Sequence, residues 1–196
     1  MTSRQAVVID VDVPSWLLVP TGDGATDAWR EAATQLLALA AEADVAVSAA
    51  PPRLDPVAAV DGLVALAASL GDGSRVVAGL DVPGAWPLPV VVEAGLTGDD
   101  APDLLERTRA RGGTPLESPI VDDLPDGIGP GIVSTRFDLD TSGAVWATVA
   151  AARRRDGLDV VATWRTTDLS VVPQFTPHVV SLLGSVRLVT VEATTA

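Results

Sequence analysis

The most regular pattern of apolar and polar residues lies in the C-terminal third of the chain. Residues 131–139, 145–153 and 158–166 each place apolar residues at alternate positions, which is typical of strands. The segments between them, TSG and RRRDG, carry the glycine and polar residues of tight turns. We therefore predict three consecutive strands that form an antiparallel meander.

Shorter apolar segments predict the other elements. Further strands are expected over residues 5–13, 17–20, 45–52, 120–122 and 185–193, with two more inside residues 75–96. Helices are predicted where a capping residue precedes apolar residues at helical spacing. They run from Thr26 or Asp27 to about Ala43, from Pro56 behind Asp55 to about Leu70, from Pro102 behind Asp100 to about Arg111, and from Pro177 behind Thr176 to Gly184.

Together these elements predict an α+β fold. It consists of an antiparallel sheet of about six to seven strands with helices packed on its faces. The chain has 196 residues, of which 47% are hydrophobic, and this suffices for one sizeable core. A single domain over residues 1–196 is therefore expected.

Charge and cysteine content exclude several classes of function. The formal net charge is −13, and all 13 basic residues are arginine. Such a surface repels phosphate backbones and anionic lipids, so neither nucleic-acid nor membrane binding is expected. The chain contains no cysteine, and its first segment, MTSRQAVVIDVDV, is interrupted by aspartates and does not have the pattern of a signal peptide. A cytoplasmic protein is expected.

The C-terminal half resembles the PsbP-like superfamily in the order of its elements. The segments that carry the resemblance are GIGPGIVSTRFDLD, VWATVAAARRRDGLDVVATWRTTD and VVPQFTPHVVSLLGSVRLV, with Ser185 opening the last strand. Trp16 near Val19-Pro20 also fits. The superfamily includes the photosystem extrinsic subunit P, a Ran-binding nuclear import factor, actinobacterial lipoproteins of the LpqN type and Eag chaperones of secretion effectors. The resemblance implies a PsbP-like fold and a binding, adaptor or chaperone role, but the lipoprotein cysteine is absent here.

Catalytic chemistry finds little support in the sequence. His178 is the only histidine, and no nucleophile motif accompanies it, so it is expected to begin a short helix. DLDTSG, residues 138–143, resembles the start of a calcium loop, but Val149 stands where the bidentate glutamate would be needed. We interpret that segment as a hairpin turn and predict no catalytic residue, no metal site and no cofactor.

Two clusters of aspartates leave a metal as the less favoured interpretation. One cluster contains Asp122, Asp123 and Asp126, and the other lies in TGDDAPD, residues 97–103. Carboxylates in such loops can hold magnesium or calcium. They also cap helices and suit solvated loops, and this is the interpretation we favour.

Five residues are candidates for binding a partner. Trp86 lies in the loop PGAWPLP, and Trp146 lies on the opposite strand face from its apolar neighbours. Large aromatic side chains in such places anchor interfaces, with burial in the core as the alternative. Arg153, Arg154 and Arg155 form a basic segment on an acidic protein, which suits an acidic partner or, alternatively, a solvated turn.

These observations favour a non-enzymatic domain that binds another protein. The expected role is an adaptor or chaperone for a secreted or envelope protein or a secretion-system component, with a homodimer as a possible form. An exposed sheet face and the loop PGAWPLP would hold an apolar segment of the partner. The alternatives are a module that binds a small ligand or a divalent metal, and a structural subunit of a larger assembly.

Overall fold

The computed structural model describes residues 3–11, 15–48, 55–71, 73–82, 87–98, 101–108 and 114–192. Ten strands are found in these ranges: β1 (Ser3–Ile9), β2 (Trp16–Val19), β3 (Ser74–Gly79), β4 (Leu88–Leu96), β5 (Thr114–Pro115), β6 (Ile120–Asp123), β7 (Gly131–Leu139), β8 (Val145–Arg155), β9 (Leu158–Thr166) and β10 (Val186–Glu192). The α-helices are α1 (Asp27–Ser48), α2 (Pro56–Ser69), α3 (Leu104–Arg107) and α4 (Val172–Gly184).

Within the described ranges, eight strands form one antiparallel sheet in the order β2-β3-β4-β9-β8-β7-β5, and β6 also pairs with β7. The predicted α+β class is confirmed, and the sheet has one strand more than the upper expectation. The excess arises because the short strands β5 and β6 both pair with β7. β1 and β10 pair with each other in a separate two-stranded sheet.

Each face of the large sheet carries its own core. On the first face, α4 and the segment before it pack against β4, β8 and β9, with Trp164 and Phe175 fully buried at the centre. On the second face, α1 and α2 pack against β2 and β3, and Leu37 and Val60 lie inside that cluster. Residues adjacent along β3, such as Val76 and Val77, point into different cores because side chains alternate along a strand.

The predicted meander is confirmed, since β7, β8 and β9 pair in sequence through two short turns. Helix α2 is also confirmed, with Asp55 as its N-cap and the Asp55 carboxylate accepting from the N–H of Val57 at 2.8 Å. Val57 itself is exposed, whereas Ala59, Val60, Leu63 and Ala67 of α2 are buried. Val57 lies in the first turn, where the outer side of the helix faces solvent.

Three predicted boundaries are wrong. Residues 45–48 continue α1 instead of starting a strand. α3 is a single turn capped by Asp103, which accepts from the N–H of Leu105. α4 begins at Val172, with Pro173 in its first turn, so Pro177 lies inside this helix. No described helix combines the length and the apolar composition needed to cross a membrane.

Candidate functional site

The second face of the sheet carries an arginine stacked on a tryptophan. Trp146 of β8 and Arg165 of β9 are diagonal neighbours, because Thr148 lies directly opposite Arg165 in the antiparallel register. The guanidinium carbon of Arg165 lies 5.0 Å from the centre of the Trp146 ring, within the range of a cation–π contact. Arg165 Nε donates to Thr148 Oγ1 at 3.1 Å. Since the Arg165 side chain is exposed, its remaining N–H groups face solvent.

A cavity of about 600 Å³ opens beside this pair, and Asp138 of β7 forms part of its wall together with Thr114 and Asp140. Asp138 is 1% exposed, and its Oδ1 accepts from Arg136 Nε at 2.7 Å. Its second oxygen, Oδ2, is buried and has no hydrogen-bond partner among the described residues. A buried carboxylate oxygen without a donor is costly, so Asp138 leaves an unsatisfied acceptor in this wall.

Asp140 organises the turn that holds Trp146 in place. Its Oδ1 accepts from the N–H and hydroxyl of Ser142 and from the N–H of Ala144, and its Oδ2 accepts from Trp146 Nε1 at 3.0 Å. These bonds, first from the Ser142 side chain and then from Trp146, hold the Asp140 pKa well below its usual range. The segment DLDTSG is therefore a hairpin turn, as predicted, and its carboxylate fixes the indole ring that lines the cavity.

Arg154 belongs to a buried ion cluster. Its Nε donates to Asp159 Oδ1 at 2.7 Å, and Arg107 and Thr97 donate to the same carboxylate at 2.8 and 2.7 Å. Asp159 is fully buried. The pKa of Asp159 is lowered to about 2, and the hydrogen bonds from Arg154 are the largest cause. The hydrogen bonds from Thr97 and Arg107 also lower this pKa, whereas burial of the carboxylate raises it. Because Arg154 also donates to the carbonyl of Pro102 at 2.9 Å, this cluster fastens the α3 segment to the sheet.

Arg153 and Arg155 lie on the other face, so the three consecutive arginines do not form one solvated turn. Arg153 is 6% exposed and donates to the carbonyl of Val186 at 2.7 Å. Arg155 is exposed, and its side chain lies 3.2 Å from the carboxylate of Asp156. Side chains alternate along β8, and this separates Arg154 from its two neighbours.

The other candidates lie apart from the cavity. Trp86 and most of its loop lie outside the described residues, so its predicted role remains a prediction. His178 lies in the second turn of α4, half exposed, with its ring stacked on Phe175 at 6.0 Å and its Nδ1 3.8 Å from Asp81. This place differs from the predicted helix start, because α4 begins at Val172, five residues before the predicted start at Pro177.

The aspartate clusters are split by the fold. Asp122 and Asp123 are neighbours on β6, and their side chains point to opposite faces of that edge strand. Asp103 caps α3, whereas Asp99 and Asp100 lie outside the described residues. Among the residues with described positions, no three histidine or carboxylate side chains come close enough to hold a metal ion together.

Neither Arg165 nor the cavity wall at Asp138 was predicted from the sequence. Alternation places Arg165 on the opposite face of β9 from Trp164, and hence on the face of Trp146. That signal was present in the pattern of β8 and β9. Only the register of the hairpin, however, brings the two side chains into contact.

No model of a protein family matches the sequence, and no curated protein matches it significantly.

Proposed function

We propose that this chain is a non-catalytic protein-binding domain. It holds a polar segment of its partner at the cavity lined by Trp146 and Arg165, which we call the Trp146–Arg165 cleft. Its role is that of an adaptor or chaperone for a secreted or envelope protein or for a secretion-system component. The observation that carries the proposal is the stacked pair itself. Tryptophan and arginine are the residues most enriched among side chains that dominate binding energy.

The chemistry of the cleft defines the partner segment. Arg165 has N–H groups free to bind a carboxylate, since in the described chain it donates only to Thr148 and forms no ion pair. The segment that fits carries a carboxylate for Arg165, with a flat or apolar portion for the Trp146 ring.

The sheet surface next to the cleft supports a partner that is polar rather than wholly apolar. Along β4 and β9, Val91 and Thr163 are half-buried, whereas Glu93 and Arg165 are exposed. The register places Val91 opposite Thr163, and both lie on the face of Arg165. This surface has mixed polarity, so we revise the expected apolar segment to an amphipathic one.

The resemblance to the PsbP-like superfamily adds a second line of support. The meander followed by a helix and a last strand is the order on which the resemblance was based, and the described chain has this order. A sheet with helices on both faces leaves its uncovered parts for a partner. The resemblance supports an adaptor or chaperone in particular among protein-binding domains.

Affinity capture with matched variants tests the proposal. The tagged chain is expected to recover one partner at near-equal stoichiometry from the cells that produce it, with quantification by mass spectrometry. Arg165→Glu and Trp146→Ala are each expected to reduce that recovery at least about tenfold, the effect of losing a dominant side chain. Arg165 is exposed, so its replacement leaves the core unchanged.

The matched control is Arg75→Glu. Arg75 is also an exposed arginine of the large sheet, and among the described residues it donates only to the carbonyl of Ser74. Recovery of the partner by this variant is expected to equal that of the parent chain. Undiminished recovery by Arg165→Glu and Trp146→Ala would refute the cleft as the binding site.

A small ligand is the second candidate function, and the size of the cavity favours it. A volume of about 600 Å³ lies within the range of small-molecule sites. A metabolite with a carboxylate and a flat ring would meet both Arg165 and Trp146. In a thermal-shift screen, a compound of this class would raise the melting temperature of the parent chain but not that of Arg165→Glu.

A further inference from the structure

Arg153 is a buried cation that forms no ion pair with any described carboxylate. Its Nη2 donates to the carbonyl of Val186 at 2.7 Å and its Nη1 to that of Ile128 at 3.4 Å, while Nε has no partner. Within the described part of the chain, no carboxylate lies within 4.0 Å of this guanidinium. Burial, and then the charge of Arg155, lower the Arg153 pKa, whereas the charge of Asp156 acts in the opposite direction. An arginine stays protonated in any case. A buried charge without a partner is strongly unfavourable.

A cavity of about 260 Å³ lies beside Arg153, between the end of β8 and the start of β10. Arg155 and Arg187 line the same cavity, together with the apolar side chains of Leu158 and Val186. The chain carries a net charge of −13, whereas three guanidinium groups line this one small cavity. The arginines are therefore concentrated locally on an otherwise acidic protein. Such a group of arginines is suited to bind an oxyanion through paired N–H groups.

Arg155 and Arg187, the two outer arginines of this cavity, form ion pairs with exposed carboxylates. Arg155 lies 3.2 Å from Asp156, whose side chain is 85% exposed, and Arg187 pairs with Asp10, in which both side chains are mostly exposed. Exposed ion pairs of this kind contribute little to stability, so a ligand with more charge can replace them. Asp156 also lines the cavity, and its carboxylate opposes an anion there.

We propose that this cavity is an oxyanion site, and that its ligand is a doubly charged phosphate group. A dianion neutralises Arg153 and one outer arginine together, which a single carboxylate does not. The volume exceeds that of several waters, each about 30 Å³ in the liquid, so either free phosphate or a small phosphate monoester has room. The site lies on the opposite face from the Trp146–Arg165 cleft, and it stands independently of the proposed function.

Isothermal titration calorimetry at constant ionic strength tests the site, with inorganic phosphate, phosphoserine and succinate as probes. Saturable binding of a phosphate probe, tighter than that of succinate, is expected. Tighter binding of phosphoserine identifies a monoester as the ligand, and tighter binding of inorganic phosphate identifies the free ion. Succinate binding that equals or exceeds both, or no saturable binding of either phosphate probe, would overturn the proposal.

Variants at the rim locate the binding without disturbing Arg153. Arg155→Ala and Arg187→Ala are each expected to weaken phosphate binding about tenfold, since each removes one charge-assisted contact. Asp156→Asn is expected to tighten binding, because it removes the competing carboxylate. Asparagine also tolerates the positive φ of 54° at this turn position. Arg75→Ala, away from the cavity, should bind phosphate as the parent chain does. Binding that is equal in all four variants would place the phosphate elsewhere and overturn the proposal.

Discussion

Replacing Asp159 with asparagine is expected to lower the free energy of unfolding by about 3 kcal/mol, as removal of one partner from a buried ion pair does. Asp159 is fully buried and accepts from Arg154, Arg107 and Thr97. An amide cannot accept all of these donors, so guanidinium groups lose their counterion. The estimate lies at the lower end of the range because both arginines keep about a quarter to a third of their side-chain surface in water. Urea denaturation measures the effect.

The control for this prediction is Asp61→Asn, which breaks the exposed pair between Asp61 of α2 and Arg30 of α1. Both of these side chains are solvated, so its cost is expected to stay below about 1 kcal/mol. A similar loss in the two variants would show that burial of Asp159 contributes nothing beyond an ordinary surface pair.

Acid should remove the contribution of Asp159 in a defined range of pH. The folded chain holds the Asp159 pKa at about 2, below the ordinary value of 3.8. The stabilisation is therefore complete above about pH 4 and is lost as the pH falls through the folded value. The difference in unfolding free energy between the parent chain and Asp159→Asn is expected to shrink from pH 4 to pH 2. A difference that stays constant over this range would contradict the assignment.

The part of the fold that local patterns control was predictable. β7, β8 and β9 alternate in polarity and are joined by short turns, so their pairing follows from neighbouring residues alone. α2 was predictable because Asp55 and Pro56 give an unambiguous start. Both cases rest on signals that lie within a few residues of each other.

The two misplaced helix ends show where local signals conflict. Val45 and Val47 alternate with smaller residues as in a strand, yet no glycine or proline interrupts the chain until Pro51, and α1 continues to Ser48. Thr176 and Pro177 imitate a helix start. The hydroxyl of Thr176 in fact donates to the carbonyl of Val172, inside a helix that is already formed.

The candidate site depended on pairing between distant positions. Trp146 could be chosen from its own strand, but its contact with Arg165 requires the register across the β8–β9 hairpin. The burial of Arg153 likewise follows from β10, which returns from the far end of the chain to accept from it. Local patterns do not reveal which of three consecutive arginines is buried.

Gly79→Ala adds a methyl group to the core on the first face of the sheet. It is expected to lower the free energy of unfolding by about 2–3 kcal/mol, because the core becomes overpacked. The added carbon would lie 2.5 Å from Cζ of Phe175 and 3.3 Å from the ring of Trp16. Phe175 cannot move aside, because it is fully buried and packs edge-on against Trp164 with ring centres 5.0 Å apart. Chemical denaturation of Gly79→Ala measures the loss. Gly95→Ala in β4 is the control, since its new carbon meets nothing within 4 Å.

A second substitution, at Phe175, tests whether the loss in Gly79→Ala arises from the contact with the Phe175 ring. Phe175→Leu removes the distal ring atoms that a methyl at Gly79 would strike, and by itself it should cost about 1.5 kcal/mol. In that background, Gly79→Ala is expected to cost less than about 0.5 kcal/mol, because the methyl fills the space that the ring has left. The coupling between the two substitutions is then about 2 kcal/mol. If the two losses simply add, the glycine is required for a reason other than the approach of Phe175, and the packing of α4 against β3 does not depend on the absence of a side chain at residue 79.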